Sequence, residues 1–402
     1  MYPNTRVKIT MDKWCLHSYY SLCPYAPDNS GRLLFAGCDP DTGVGKVYIA
    51  DKDGNIIKSF GENGTSSSFF HTGYWQTWSP DAKYVYYQSG TNTNPLIVKH
   101  NVATGEEKVM NGDMEGAAPF GEPITTGYMG MLYAAGYGDG NYAPEKAPFP
   151  FQQRDKHGLF RFYPESGKSE LALSVAEVLE NHPHRDRLLK EDKAIKALYG
   201  DNDGLTLMCY CLRWSPKGNR FLFYFGNHTV HNVRKEPKIG YVFTADKDMK
   251  DIHMAVDLSF NKKGVHWSVH PDGERLIGYG PRKDNPEKQA LTLVNYDGSD
   301  YHHISNHASG GHPSICPADY NLAVTDECGN AKIGRVVFLD VTTGKEVDAY
   351  EFPRQNVDKV PFGRNPYRVC HHPVFTQDGT KVLCNTLPGK YAQLVEIDVK
   401  GR

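Results

Sequence analysis

The sequence predicts an all-β fold, a seven-bladed β-propeller that fills residues 1–402 as a single domain. Three observations carry that prediction. Apolar or aromatic segments repeatedly flank a turn of the Pro-Asp-Gly type, a second Gly- or Asp-bearing turn follows at short range, and the two alternate along the whole chain. Two hairpins per repeat make four strands, which is the blade of a propeller, and a recurring unit is the sequence signature of such a ring.

From the N-terminus, Arg6-Val-Lys-Ile-Thr10 has strand character and precedes the first blade. The first turn unit is Tyr25-Ala-Pro-Asp28, leading into Leu33-Leu-Phe35. Trp78-Ser-Pro-Asp81 leads into Tyr84-Val-Tyr-Tyr87, and Trp214-Ser-Pro-Lys-Gly218 into Phe221-Leu-Phe-Tyr224. Val269-His-Pro-Asp-Gly273, Ile315-Cys-Pro-Ala-Asp319 and Phe375-Thr-Gln-Asp-Gly379 complete the visible copies. The 136-residue gap between Pro80 and Pro216 leaves room for one more copy and an insertion. The second unit supports a count of seven. It stands at Asp51–Gly54, Val102–Gly105, Pro164–Gly167, Ala245–Asp248, Asn295–Gly298, Asp340–Gly344 and Asp398–Gly401. Gly and Asp supply the turn conformations these hairpins need.

The last copy falls at Gly401, so the seventh blade lacks an outer strand, and the N-terminal strand is expected to pair there and close the ring. Ser174 to Asp203 breaks the pattern. Val175, Val178, Leu179, Leu188, Leu189, Ile195 and Leu198 recur among charges at helical spacing, so a helical insertion between blades three and four is expected, packed as a surface cap.

Composition excludes several classes. No run approaches the roughly 18–20 apolar residues of a membrane span. With 25 Tyr, 18 Phe and 5 Trp the chain can bury a large core, so it is not disordered. Forty-five basic against 47 acidic residues leave a net charge of -2, without the signature of nucleic-acid binding. Nine cysteines in a chain of this length do not read as a disulfide framework. Met1 is followed by Tyr-Pro-Asn-Thr rather than a basic and then apolar run. The chain is therefore either cytosolic or a mature form whose leader is gone.

Histidine placement is the strongest chemical signal. Of 17 His, His17, His71, His266, His312, His371 and His372 stand at the starts of innermost strands, around one end of the central channel. Strand topology brings His312, Cys328, Cys370 and His372 to that end of adjacent blades, the ligand set of a closed tetrahedral zinc site of structural type. The bland alternative is that the cysteines are buried hydrophobes.

The segments Leu16-His-Ser-Tyr-Tyr-Ser-Leu-Cys-Pro24 and His71-Thr-Gly-Tyr-Trp-Gln-Thr-Trp-Ser-Pro80, Gly136-Tyr137 followed by Arg154, and the His-Pro strand starts carry a resemblance. The chain resembles the seven-bladed propeller polysaccharide lyases: ulvan lyases, enzymes that cleave rhamnose from glucuronic acid in arabinogalactan, and more distantly oligogalacturonate lyases. The resemblance implies a catalytic set of His71, Tyr137 and Arg154. The second His of that pattern is absent, with Gln88 and Thr91 in the stretch where it would fall. β-Elimination beside a uronic acid needs a base for the C5 proton, a partner for the carboxylate and an acid for the leaving oxygen. Arg154 suits the carboxylate, Tyr137 the proton transfers, and His71 either task. Gln88, Arg213, His228 and His266 are expected to bind substrate.

The expected function is cleavage of a rhamnose–glucuronic acid linkage in an acidic polysaccharide by a secreted or periplasmic monomer. Two alternatives stand beside it. One is an α-L-rhamnosidase working through His17 alone, since no Asp/Glu pair suited to ordinary glycoside hydrolysis is visible at strand starts. The other is a non-catalytic carbohydrate-binding propeller.

Overall fold

The computed structural model describes residues 2–39, 41–64, 72–91, 93–129, 147–327, 333–353 and 369–399. Seven sheets follow one another along the chain as the blades of a propeller, six with four strands and one with three. Blade 1 runs Trp14–Leu16, Leu33–Cys38, Val44–Ala50 and Ile56–Gly64, each strand antiparallel to the last. Blades 2, 4, 5 and 6 repeat this order, their inner strands being Thr77–Trp78, Met208–Trp214, Val265–Val269 and Ser314–Cys316. Blade 3 is the one that the gap conceals. Its three paired strands are Ile124–Gly127, Gly158–Tyr163 and Lys168–Ser174. Its inner position is taken by residues 112–118, which turn back through an Ala118–Gly121 bridge instead of forming a ladder. Gln88 holds that segment in place. Its Oε1 accepts from the Met114 N–H (2.9 Å) and its Nε2 donates to the Gly112 carbonyl (3.3 Å).

The ring closes as the repeat predicts. Thr5–Ile9 pairs antiparallel with Gln393–Asp398 of blade 7, with Thr5 opposite Ile397 and Val7 opposite Val395. Gln393–Asp398 is buried on both faces, taking in Leu394, Val395 and Ile397 and with them the carboxylate of Glu396. That charge survives burial because Arg6 and Tyr25 bond to it, with the Lys8 ammonium at 3.5 Å and that of Lys381 at 3.8 Å. Two of the four partners belong to the closing strand.

Neighbouring blades share apolar clusters. Leu34, Val47 and Ile49 of blade 1 pack with Val85 and Val98 of blade 2, and Val324 and Val336 of blade 6 with Val382 and Val395 of blade 7. Hydroxyls at or beside inner strands tie blade 5 to blade 6 and blade 1 to blade 2: Ser268 Oγ donates to the Pro313 carbonyl (3.0 Å) and Ser18 Oγ to that of Gln76 (2.9 Å).

The insertion between blades 3 and 4 forms two helices, α1 (Val175–Glu180) and α2 (Arg185–Tyr199). Ser174 and Glu177 make a reciprocal capping box at the start of α1. Val175, Val178, Leu179, Leu188 and Ile195 pack on blade 4, while Leu189 and Leu198 stay exposed. Among the described residues no helix is long and apolar enough to cross a membrane.

Deleting residues 1–12 removes the outer ladder of blade 7 and strips Glu396 of two cations. The expected loss is about 3–5 kcal/mol, the usual cost of a buried charge left without its partner. Thermal unfolding of the truncated chain checks this, and an unchanged melting temperature refutes the closure.

Candidate functional site

The inner strands bring side chains from every blade to the axis, and the arrangement starts with Tyr19 and Tyr20 of blade 1. Tyr19 lies 5.4 Å from the Trp75 ring, 4.8 Å from His372 and 5.5 Å from His312, ring centre to ring centre. The Arg213 guanidinium sits 4.4 Å over its face. Tyr20 lies 5.1 Å from His312 and 6.4 Å from His266, and its hydroxyl donates to the Trp267 carbonyl (3.1 Å). Two adjacent tyrosines thus plug the channel, touching blades 2, 4, 5, 6 and 7. Arg213 is itself held by the Glu115 carboxylate of blade 3 at 2.9 Å, with both side chains buried.

On one side of this plug sits a histidine cluster. His266 stacks on His312 at 4.0 Å, and His312 meets His372 edge-on at 4.2 Å. His17 lies 6.4 Å from His372. Cys370 is buried beside them. The backbone is bent to make this possible. Trp75, Cys211, His266 and His372 all have positive φ (54°, 54°, 54° and 46°). Each precedes the same turn position by five residues, namely Pro80, Pro216, Pro271 and Gln377. In blades 4 and 5 the register of the inner strand slips at this point, the mark of a bulge that re-aims a side chain. Left-handed backbone at non-glycine residues costs on the order of 1–3 kcal/mol each and clusters at functional sites.

Hydrogen bonds fix the tautomers of two of these rings. His266 Nδ1 lies 2.9 and 3.0 Å from the carbonyls of Gly310 and Gly311, which only accept, so Nδ1 carries the proton and Nε2 the lone pair. His312 Nδ1 donates to Asp326 Oδ1 (2.9 Å), which leaves its Nε2 as the basic nitrogen too. Asp326 is fully buried, yet it accepts backbone N–H bonds from His312 (2.7 Å) and His372 (3.2 Å) as well. Burial opposes its charge, but His312 outweighs that and holds the carboxyl well below the usual range. Burial pushes the imidazoles the other way: His266 and His372 down to about 4 and His17 to about 3. The histidines are therefore neutral at pH 7, and both ring nitrogens of His17 are buried without a partner.

The residues singled out from the sequence fall into three groups. His266, His312, Cys370 and His372 come together at the axis with His17 beside them, and Arg213 lies behind the tyrosines. Gln88 and Arg154 are occupied elsewhere. The amide of Gln88 is spent on backbone, and the Arg154 guanidinium binds Asp192 of α2 (2.6 Å) and the Leu205 carbonyl (2.8 Å), clasping the helical insertion. His228 stands in the loop after the second strand of blade 4, with its ring 5.2 Å from that of Tyr210. His71, Tyr137 and Cys328 lie outside the described residues. The strand ends that flank residues 65–71, 130–146, 328–332 and 354–368 all lie at the histidine end of the ring. Tyr19, Tyr20, Asp326 and Glu115 were missed as individual positions. The signal for the tyrosines was present, an aromatic pair two and three residues after His17.

A metal was expected at this cluster. The donor chemistry suits one: neutral imidazoles, one of them backed by a buried carboxylate as metal-binding histidines usually are. Among the described residues, however, no three such groups are arranged to hold an ion.

No family model matches the chain, and no curated protein matches it significantly. Solved structures do. The chain is similar to an oligogalacturonate lyase in complex with manganese, at 16% identity and a TM-score of 0.63 over 99% of this chain and 93% of that one. It is similar to an oligogalacturonate lyase from Vibrio parahaemolyticus, at 15% identity and a TM-score of 0.62 over 99% and 94%. A prolyl endopeptidase aligns at 11% identity and a TM-score of 0.52, over 97% of this chain and 50% of that one. At such identities the likeness shows the fold, a seven-bladed propeller along the whole chain.

The buried imidazoles make stability depend on pH. Unfolded, they take up protons near pH ~6.5; folded, His17, His266, His372, His182 and His270 do so only at about 3–4. Below pH ~6.5 the unfolded chain therefore binds more protons, and stability falls as pH drops towards 4, by up to ~1.4 kcal/mol per unit for each histidine. Asp326 acts in the same direction only below pH ~4, outside this window. The urea midpoint should drop clearly between pH 7 and pH 5; a constant midpoint would show that these rings are not held neutral.

Proposed function

We propose that the protein is a polysaccharide lyase that cleaves an acidic oligosaccharide by β-elimination at the axial histidine cluster. The observation that carries this reading is His266. Its ring is anchored through Nδ1–H on two carbonyls, its Nε2 lone pair is fixed in direction, it is half-buried, and it is neutral at pH 7. A fixed, neutral imidazole is available to take the C5 proton of a uronic acid, but burial, which lowers its pKa to about 4, makes it a weak base in the absence of substrate. The negative charge of an approaching uronate favours the protonated ring, which raises its basicity when substrate is present. Among the described residues no three such donors are arranged to hold an ion; a divalent cation at this end would need a further ligand, such as the expected Cys328, and would supply the positive charge that the substrate carboxylate needs. With Arg154 engaged by Asp192, that task falls more naturally to this cluster than to the arginine. Tyr137 is the proposed acid for the leaving oxygen.

Two substrate classes fit. The oligogalacturonate lyases that share the fold support a galacturonate chain; the segments around His17 and His71 support a rhamnose–glucuronate linkage. A secreted or periplasmic location suits either polymer. The α-L-rhamnosidase reading rests on His17, whose ring is fully buried.

Incubation with oligogalacturonides, ulvan and gum arabic, with and without added manganese or zinc, distinguishes these readings. Elimination produces the ultraviolet absorbance of an unsaturated uronide. His266→Ala should lower kcat by about two to four orders of magnitude, the usual worth of a general base. Free rhamnose without absorbance would establish hydrolysis instead, and binding without any product would establish a carbohydrate-binding propeller. Unchanged turnover in His266→Ala would remove the base assigned here.

A further inference from the structure

The far side of the tyrosine plug, at the turn end of the ring, holds a cavity of about 380 Å³. Every blade contributes to it through its inner-strand turn, including Pro27, Pro80, Pro119, Pro216, Pro271 and Pro317. Its floor is Tyr20 together with the Glu115–Arg213 pair. The histidines named above do not line it, so it is a compartment separate from the cluster rather than an extension of it.

We propose that this cavity is a second ligand site and that it takes an uncharged sugar ring. Three features of the lining select that chemistry. The first is charge. Glu115 and Arg213 neutralise one another, and burial keeps the phenols of Tyr20 and Tyr25 and the Cys23 thiol protonated. A charged ligand would find no counter-ion there, and burying an unpaired charge is costly. The second is unmet hydrogen bonding. Ser21 Oγ and Trp214 Nε1 both line the cavity, and both are buried without a partner. An unsatisfied buried donor or acceptor costs roughly 1–3 kcal/mol. A purely apolar ligand would leave both unpaired, whereas a hydroxyl group satisfies either. The third is the wall. Trp78, Trp214, Phe375 and the proline rings offer apolar faces against which the C–H groups of a ligand can pack. A molecule that presents C–H groups on one face and hydroxyls around its rim meets all three conditions, and a neutral pyranose is that molecule.

The test is a titration of the full-length chain, followed by calorimetry and tryptophan fluorescence. The probes are the methyl glycosides of glucose, galactose and rhamnose, with galacturonate as the charged arm and p-cresol as the apolar arm. At least one glycoside should bind saturably and more tightly than galacturonate or p-cresol. Trp214→Phe keeps the apolar face and removes the N–H, and it should weaken that glycoside about tenfold, the equivalent of one hydrogen bond. Ser21→Ala should weaken it in the same direction, while His266→Ala should leave it unchanged, so that binding here stands apart from the lyase reading. The proposal is overturned by any of three results: no saturation up to about 100 mM, a range that covers weak single-sugar affinities; tighter binding of galacturonate or p-cresol; or full affinity in both Trp214→Phe and Ser21→Ala.

Discussion

Everything at the axis depends on one contact, the seating of Tyr19 and Tyr20 across the channel, where they touch blades that are not neighbours in the ring. A seven-bladed ring leaves a central gap that the inner strands alone do not fill. The two rings from blade 1 do. Tyr19 is fixed from below by the Arg213 guanidinium, which Glu115 holds from the neighbouring blade, and Tyr20 is fixed through its hydroxyl on the Trp267 carbonyl. A buried ion pair is a poor source of stability on its own, because desolvation consumes most of its attraction. Here it has a further use: it sets a cation against an aromatic face, which orients the ring that the histidines pack on.

The histidine cluster follows from that plug. His312 and His372 both have Tyr19 as a neighbour, and His266 reaches the group by stacking on His312. Packing neutral imidazoles against aromatic rings in a dry interior costs less than packing charged ones, and burial accordingly lowers their basicity. The backbone contributes strain to the same end. The left-handed residues at equivalent positions of blades 2, 4, 5 and 7 turn a side chain that strand alternation would otherwise place differently. Their recurrence at one register, in unrelated residue types, argues that the bend belongs to the blade and that the identity of the residue placed there, His in blades 5 and 7 but Trp and Cys in blades 2 and 4, is what differs.

The parts of the fold that were legible in the sequence are those set by local chemistry. Turn residues between apolar strands gave six blades directly, the strand character of Arg6–Thr10 gave the closure, and the spacing of Val175, Leu179, Leu188 and Ile195 gave the insertion. Blade 3 was concealed because its turn, Ala118-Pro119-Phe120-Gly121, lacks the aromatic–Ser pair of its neighbours and its inner segment makes no ladder. The functional assignments that fared differently all involve partners distant in sequence. Nothing near Arg154 indicates that Asp192 will engage it, and nothing near Gln88 indicates that the segment at Met114 will take its amide. His312 was legible as a residue at the end of the channel; its dependence on Asp326, fourteen residues on and facing it across the hairpin, was not. Position along a repeat predicts where a side chain stands, but the hydrogen-bond partner decides what it can do.

That distinction bears on why the two ends of one channel differ. Both are built from the same inner strands, seven times over. At the strand starts the chain places imidazoles, and two of them, His266 and His312, commit Nδ1 to a carbonyl or a carboxylate and so keep a directed lone pair on Nε2. At the strand ends it places prolines, which have no N–H to donate, together with a few hydroxyls and an indole. The first end gathers neutral imidazoles around a buried carboxylate, Asp326. The second carries no net charge and can only offer shape, apolar faces and isolated hydrogen bonds. Between them stands the plug of Tyr19 and Tyr20, and burial keeps the Tyr20 phenol in its neutral form.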